Sequence, residues 1–211
     1  LGLSLAQQSK HQEAEKYLKK ATLLNPTDVT ALSAYAFTLN QLKENDKAIF
    51  YLNQALEIEP DDVQLIGTLA MIYNGMESHQ MGDSLYERAL ELKPDDPLIN
   101  NNYSYAFATR GIQLERALKM VQISIAADSL NSSYLDTIGW VHFKLGNYKE
   151  AKLYLEKAIE DGGESAVMLD QLADTESKLG NKERAIELWE KAIELDPAKI
   201  EIKNKIDKGA I

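Results

Sequence analysis

The chain has 211 residues, of which 45% are hydrophobic and 27% charged, as is ordinary for a globular protein. Its formal net charge of −10 argues against a nucleic acid or an anionic membrane surface as partner, because both attract surfaces rich in Lys and Arg. The absence of cysteine excludes disulfides, thiolate catalysis and thiolate metal sites, and it fits a reducing cytoplasm or a periplasm equally well.

The apolar segments are too short to cross a bilayer. None approaches the run of about 18 residues that a spanning helix needs, so we expect no membrane insertion by this fragment. The opening residues LGLSLAQQSK lack the basic leader and cleavage site of a signal peptide.

Helix boundaries recur at an interval of 34 residues. Pro26, Pro60 and Pro94 follow one another at that interval, and Pro197 ends the series. Each proline follows an apolar helical stretch, as in ALEIEPDD and ALELKPDD, and the acidic residues behind it are good N-caps for the next helix. The pattern predicts repeats at residues 1–28 (partial), 29–62, 63–96, 97–131, 132–165 and 166–199.

Small residues occupy three columns when these repeats are aligned, with one residue inserted after Gly111. The columns are Gly2, Ala36, Ala70, Ser104, Gly139 and Ala173; Ala14, Ala48, Gly82, Ala117, Ala151 and Ala185; and Ala21, Ala55, Ala89, Ser124, Ala158 and Ala192. Small residues belong where two helix backbones approach closely. With the apolar columns between them, they predict two helices of about 13 to 15 residues per repeat.

The ends and joints of the array differ from this pattern. The first repeat begins where its first helix should already be about two turns long, so we expect residues before Leu1 in the natural protein. The fifth repeat ends in EDGGES, where Gly162 or Gly163 is predicted to act as a left-handed C-cap. Residues 200–211 keep few apolar positions and are predicted to form a polar capping helix.

The 34-residue period and the small columns occur together with Leu1-Gly2, the IGW at 138–140, and the ALELKP and AIELDP endings. On these features the sequence resembles the tetratricopeptide repeat (TPR) family. The wording of the sequence within the repeats is similar to that of bacterial TPR proteins, including exported and lipid-anchored adaptors. The resemblance implies an all-α, right-handed superhelical solenoid of stacked antiparallel helix pairs. It covers nearly the whole chain, so we expect a single array over 1–211 in a bacterial cytoplasm or periplasm, with the compartment left open.

Candidate chemistry is sparse. His11, His79 and His142 fall in different columns, so we expect no shared metal site, and His142 is predicted to pack. The acidic pairs after Pro60 and Pro94 stand at helix starts, where acids favour the N-terminus. No phosphate-binding loop, nucleophile elbow or zinc-binding helix motif occurs. We therefore expect no catalysis, no cofactor and no metal.

The resemblance also implies where a partner binds. In TPR proteins the first helix of each repeat lines a concave groove that holds peptides or partner helices. Members that grip a carboxylate use Lys, Asn and Arg on successive first helices, and this carboxylate clamp is missing here. The predicted groove residues are Phe37, Met71, Asn74, Asn101, Asn102, Tyr105, Asp136, Trp140, Lys144 and Lys178.

Within this set Phe37, Met71, Tyr105 and Trp140 recur at the repeat period, after Leu3 and before Asp174. One hypothesis is that they anchor an uncharged, apolar peptide, with the asparagines bonding its backbone and the lysines meeting an acid at one end. The alternative is that they only pack between neighbouring first helices.

The predicted function is a protein–protein interaction scaffold that holds a peptide or helix of a partner protein in its groove. Two alternatives remain open at this stage. The chain is a regulatory or targeting segment of a larger enzyme or of a secretion or assembly complex, or it is a self-associating structural element that forms homo-oligomers. RNA recognition by helical repeats is disfavoured by the acidic charge.

Overall fold

The structure, a computed structural model, describes residues 1–208, which form thirteen α-helices and no β-strand. The helices are α1 (Gly2–Gln7), α2 (His11–Leu24), α3 (Val29–Gln41), α4 (Asn45–Ile58), α5 (Val63–Gly75), α6 (His79–Leu92), α7 (Pro97–Arg110), α8 (Leu114–Ala127), α9 (Ser132–Lys144), α10 (Tyr148–Gly162), α11 (Ala166–Lys178), α12 (Lys182–Leu195) and α13 (Ile200–Lys208).

The helices follow the 34-residue repeat. From α3 onward, the first helix of each pair begins at the residue where the predicted repeat begins, at 29, 63, 97, 132 and 166. The capping helix α13 begins at Ile200 as predicted, and the part of that prediction covering residues 209–211 lies outside the described residues. The all-α fold of stacked antiparallel helix pairs is confirmed.

The chain divides into two compact units. The N-terminal unit is Leu1–Pro94 and contains α1 to α6, and the C-terminal unit is Asp95–Ile211 and contains α7 to α13. Within each unit every helix contacts the next one along the chain, and in the C-terminal unit α9 also contacts α7 and α11. The single array over residues 1–211 stays a prediction.

Acidic side chains start several of the first helices, as predicted. The Asp62 carboxylate accepts hydrogen bonds from the backbone N–H groups of Gln64 and Leu65, at 2.8 and 2.9 Å. Asp28 and Asp96 cap α3 and α7 in the same way. These carboxylates satisfy helix N–H groups that have no partner inside the helix. Their position after each proline therefore has a structural reason.

The small-residue columns mark close contacts within each helix pair. A Cβ added to Gly139 on α9 would lie 2.8 Å from Cγ of Leu155 on α10, which is too close for unmoved neighbours. In the preceding repeat, the Ser104 hydroxyl on α7 donates to the carbonyl oxygen of Ala117 on α8 at 2.9 Å. Ala151 is fully buried. Larger side chains at these positions would push the paired helices apart.

The turn inside each helix pair contains at least one residue with a positive φ, and the turn between α7 and α8 contains two, Gly111 and Gln113. Gly146 and Gly180 take this place in the two KLGN turns, with φ of 82° and 88°. Ser9, Lys43 and Glu77 take it in the N-terminal unit, with φ between 59° and 65°. Because a side chain makes this conformation unfavourable, the non-glycine turns carry strain that the KLGN turns avoid.

The predicted C-cap of α10 is wrong in one respect. Gly162 is the last residue of the helix, and Gly163 follows it with φ 83° and ψ 169°. The positive φ suits glycine, but the ψ is extended rather than left-handed helical. The chain therefore leaves α10 in an extended conformation until Ser165 caps α11.

Candidate functional site

The N-terminal unit has an open cleft between its first helices α1 and α3. The cleft has a volume of about 570 Å³ and is lined by Leu3 of α1 and Phe37 of α3, among other residues. His11 contacts the Phe37 ring edge-on, with ring centroids 6.2 Å apart. Two of the predicted stripe residues therefore share one cleft, and they line it rather than fill it.

A second cleft lies between α3 and α5. Its volume is about 360 Å³, and its lining is mostly polar, including Thr30, Ser33 and Thr68. Met71 occupies on α5 the repeat position that Phe37 occupies on α3, and it is exposed. The first helices of this unit thus present clefts and apolar side chains instead of a sealed surface.

Asn74, one of the predicted groove residues, makes hydrogen bonds within its helix pair. Its amide nitrogen donates to the carbonyl oxygen of Ala70 at 3.3 Å, and its amide oxygen lies 3.2 Å from Nδ1 of His79. A Cβ on Gly82 of α6 would collide with the Asn74 amide. The missing side chain at Gly82 leaves the room that Asn74 fills, and a contact of Asn74 with a partner stays a prediction.

In the C-terminal unit, Tyr105 of α7 and Trp140 of α9 are half-buried. The Trp140 ring stacks on Phe143 with centroids 4.8 Å apart, and Lys144 Nζ lies 4.6 Å from the Trp140 ring centroid. Burial raises the pKa of the Tyr105 hydroxyl, and the nearby Asp136 carboxylate raises it further. The contact between Lys144 and the Trp140 ring is a cation–π interaction. Lys178, the other predicted groove lysine, is exposed at the end of α11.

Three neighbouring first helices of this unit each bury a side-chain oxygen that has no hydrogen-bond partner. The atoms are Oδ1 of Asn101 on α7, Oδ1 of Asp136 on α9 and Oε1 of Gln171 on α11. All three residues are at most 8% exposed and lie on helices of which α9 contacts both α7 and α11, and we call them the acceptor cluster. The Asn101 amide nitrogen donates to Oδ1 of Asn102 at 3.2 Å, so only its oxygen is left over.

Asp136 is the charged member of the acceptor cluster. Burial raises the pKa of its carboxyl from 3.8 to about 7, because no described group compensates the loss of water around the charge. The sequence prediction included Asn101 and Asp136 but missed Gln171. The repeat alignment could have indicated Gln171, since it follows Asp136 by one repeat of 34 residues and one further residue.

The last joint of the C-terminal unit holds a partly buried group of one lysine and two carboxylates. Lys205 of α13 donates to Oδ1 of Asp170 at 2.6 Å and to Oδ1 of Asp174 at 2.7 Å. The indole N–H of Trp189 also donates to Oδ1 of Asp174, at 3.0 Å. Burial lowers the pKa of Lys205, but the two carboxylates outweigh it and raise that pKa overall. Trp189 is fully buried, so its predicted packing role is confirmed.

The other candidate groups are dispersed. His142 stacks on Tyr154 with ring centroids 5.5 Å apart, which confirms its predicted packing role. Within residues 1–208, no three His, Asp or Glu side chains come together in a way that would hold a metal ion. No described helix is both long and apolar enough to cross a membrane.

Family models agree with the helix pairs. Models described as tetratricopeptide repeat match residues 5–72, 63–96, 132–161 and 166–199. The chain belongs to the tetratricopeptide repeat family. TPR proteins generally mediate protein–protein interactions, and their repeat fold is a non-catalytic interaction scaffold. No curated protein matches this chain in sequence.

Solved structures support the fold. A TPR protein from Parabacteroides merdae is 19% identical with a TM-score of 0.77, and the match covers 99% of this chain and 81% of that one. PilW, described as a widely conserved type IV pilus biogenesis factor, is 21% identical with a TM-score of 0.75, over 97% of this chain and 94% of that one. YrrB, described as a TPR protein with an unusual peptide-binding site, is 19% identical with a TM-score of 0.56, over 89% and 96%. Parabacteroides is a bacterial genus, in keeping with the resemblance to bacterial members.

Proposed function

We propose that this chain is an interaction scaffold that holds a peptide or helix of a partner protein on the exposed face of its first helices, without a carboxylate clamp. The observation that carries the proposal is the exposure of large apolar side chains at the same repeat position. Leu3, Phe37 and Met71, on α1, α3 and α5, are between 37% and 45% exposed. Three apolar side chains left in water at one repeated position favour a surface that a partner covers.

The alternative of simple packing explains part of the C-terminal unit better than the N-terminal one. Trp140 has Phe143 and Lys144 against its ring, whereas Phe37 borders an open cleft. A partner that fills this cleft would remove the exposed part of Phe37 from water. Aromatic side chains that anchor in such a place typically contribute about 2 kcal/mol or more to binding.

Two of the similar structures add support at the level of analogy. YrrB shares the fold and is described as having a peptide-binding site. PilW shares the fold and is described as a pilus biogenesis factor. We infer from them a role as an adaptor in a protein assembly. On this proposal the chain has no catalytic activity, cofactor or nucleic-acid partner of its own.

A peptide-display selection on the immobilised protein tests the proposal, with fluorescence anisotropy to measure the selected peptides. Phe37→Ala should weaken their binding about thirtyfold, since a loss of about 2 kcal/mol corresponds to that factor. Phe50→Ala is a matched control, because Phe50 is an exposed phenylalanine on the second helix α4. It should leave the affinity unchanged.

Trp140→Ala repeats this comparison in the C-terminal unit, and Tyr105→Ala extends it to α7. Circular dichroism of each variant shows whether the helices remain intact. If the display enriches no peptide, or if Phe50→Ala weakens binding as much as Phe37→Ala does, the first helices are not the binding face. Attention then moves to the outer face and to self-association.

A further inference from the structure

The acceptor cluster of Asn101, Asp136 and Gln171 has hydrogen-bond acceptors without donors. Within residues 1–208, four buried side-chain nitrogen or oxygen atoms lack a partner, and three of them are the oxygens of this cluster. A buried polar group without a partner costs free energy, and a buried carboxylate costs more than a neutral group. Among the described residues, the three oxygens of the cluster lack hydrogen-bond donors, and the Asp136 carboxylate also lacks a positive charge beside it.

The neighbouring joint of the same unit shows which group satisfies such a carboxylate here. Asp170 on α11 occupies the repeat position that Asp136 occupies on α9. It is paired at 2.6 Å with the ammonium group of Lys205, which lies 35 residues further along the chain. The residue 35 positions after Asp136 is Gln171, which has no charge. The same place in the repeat therefore holds an ammonium at one joint and lacks it at the other.

We propose that the acceptor cluster is a subsite for a Lys or Arg side chain of the partner protein, an inference that rests on the proposed function. An ammonium or guanidinium group offers only donors and a positive charge, which suits three unpaired acceptor oxygens of which one belongs to a carboxylate. Asp136 is 8% exposed and lies on α9, which is one of the first helices that make up the proposed binding face. The net charge of −10 also favours a basic partner.

This assignment changes the expected ligand from an uncharged peptide to one that carries a basic residue. Tyr105 lies close enough to Asp136 for the carboxylate to affect its hydroxyl, so its ring borders the cluster. A Lys or Arg stem has apolar methylene groups that pack against such a ring while the charged head reaches the carboxylate. Lys144 does not fill this role, since it lies on the Trp140 ring.

The test uses the peptide-display selection on the full chain, run in parallel on wild type and on Asp136→Asn. Asparagine keeps the shape of the side chain and removes its charge. Wild type should enrich peptides with one fixed Lys or Arg, and replacing that residue by norleucine should weaken binding about tenfold or more. Asp136→Asn should bind both forms of the peptide equally. Asp161→Asn, which removes an exposed carboxylate from α10, should behave as wild type.

A second variant, Gln171→Lys, supplies the missing ammonium from inside the chain. By analogy with the pairing of Lys205 and Asp170, the new ammonium group should occupy Asp136 and abolish the preference for a basic residue. Binding of the norleucine peptide should persist. This variant also keeps the proposal falsifiable if Asp136→Asn fails to fold.

The outcomes separate the two proposals. If wild type enriches peptides whose binding depends on Trp140, in the same unit as the cluster, but that share no basic residue, the cluster subsite is refuted and the binding face stands. If basic peptides are enriched and Asp136→Asn and Gln171→Lys retain the preference, the subsite is also refuted. If no peptide is enriched at all, the binding face fails and the subsite fails with it.

Discussion

Replacing Asp136 by Asn should stabilise the free protein at alkaline pH. The carboxyl of Asp136 is buried on α9 and one of its oxygens has no hydrogen-bond partner. Ionising it therefore leaves a charge with little water and no counter-ion. Asparagine has almost the same shape and no charge to bury. A carboxylate at Asp136 that destabilises the free protein is what we expect if this group binds a cation of the partner.

The magnitude follows from the pKa of Asp136, which burial raises from 3.8 to about 7. Because the folded state holds the proton more tightly, the free energy of unfolding falls as the pH rises from about 4 to about 7, and then levels off. Each unit of pKa corresponds to about 1.4 kcal/mol. Between pH 5 and pH 8, wild type should therefore lose about 3 kcal/mol relative to Asp136→Asn.

Urea denaturation followed by tryptophan fluorescence is a suitable assay. Both tryptophans of the chain, Trp140 and Trp189, lie in the C-terminal unit, so their emission reports on the unit that contains Asp136. Wild type, Asp136→Asn and the control Asp161→Asn are compared at pH 5, 6.5 and 8. Other carboxylates titrate alike in all three proteins, so the difference between variants isolates Asp136.

The prediction has a clear refutation. If Asp136→Asn and wild type differ by the same free energy at pH 5 and at pH 8, the Asp136 carboxyl is not held protonated by burial. An equal pH-dependent gain in Asp161→Asn would show instead that overall negative charge, and not this site, limits stability.

Four further substitutions test the helix packing, the turns and the ion pair. Ala151→Leu should destabilise the α9–α10 pair by about 1–3 kcal/mol, seen as a lower urea midpoint, and an unchanged midpoint would contradict the assigned register. Gly146→Ala should lower the free energy of unfolding by about 1 kcal/mol, because only the positive φ of Gly146 opposes a side chain. Glu77→Gly should raise it by roughly 0.5 kcal/mol, because glycine removes the strain of a positive φ. Thermal melting temperatures that shift in the same direction for both variants would refute the turn strain. Lys205→Met should cost about 3 kcal/mol by leaving two partly buried carboxylates without their cation, and a neutral result in urea would show that the ion pair adds no net stability.

The repeat explains why the secondary structure was predictable from local patterns. Proline stops one helix and aspartate starts the next at positions set by local backbone chemistry, so the helix starts at 29, 63 and 97 follow from neighbouring residues. The small columns predicted close helix contacts because each pair repeats the same packing problem. The details of Gly163 were less predictable, since both of its φ/ψ choices suit glycine equally.

The site was predictable only in part. Phe37, Met71, Tyr105 and Trp140 were predicted because they share a column, and Leu3 and Phe37 border one cleft. Asn74 was assigned to the face by its column, and the column did not indicate the space that Gly82 leaves for it on the neighbouring helix. A column shows which position a residue occupies in its own repeat. It does not show which side chains of the neighbouring helix that residue contacts.

The sequence by itself determined the family, the helix boundaries and the columns, because these depend on residues close together in the chain and on a repeated register. Only the tertiary structure decided which polar groups are satisfied. Asp136 and Asp170 occupy equivalent positions and are the same residue type, yet one buries an oxygen without a partner and the other faces Lys205. The difference comes from the helix packed against each carboxylate, since burial and a partner 35 residues away act through space and not along the chain.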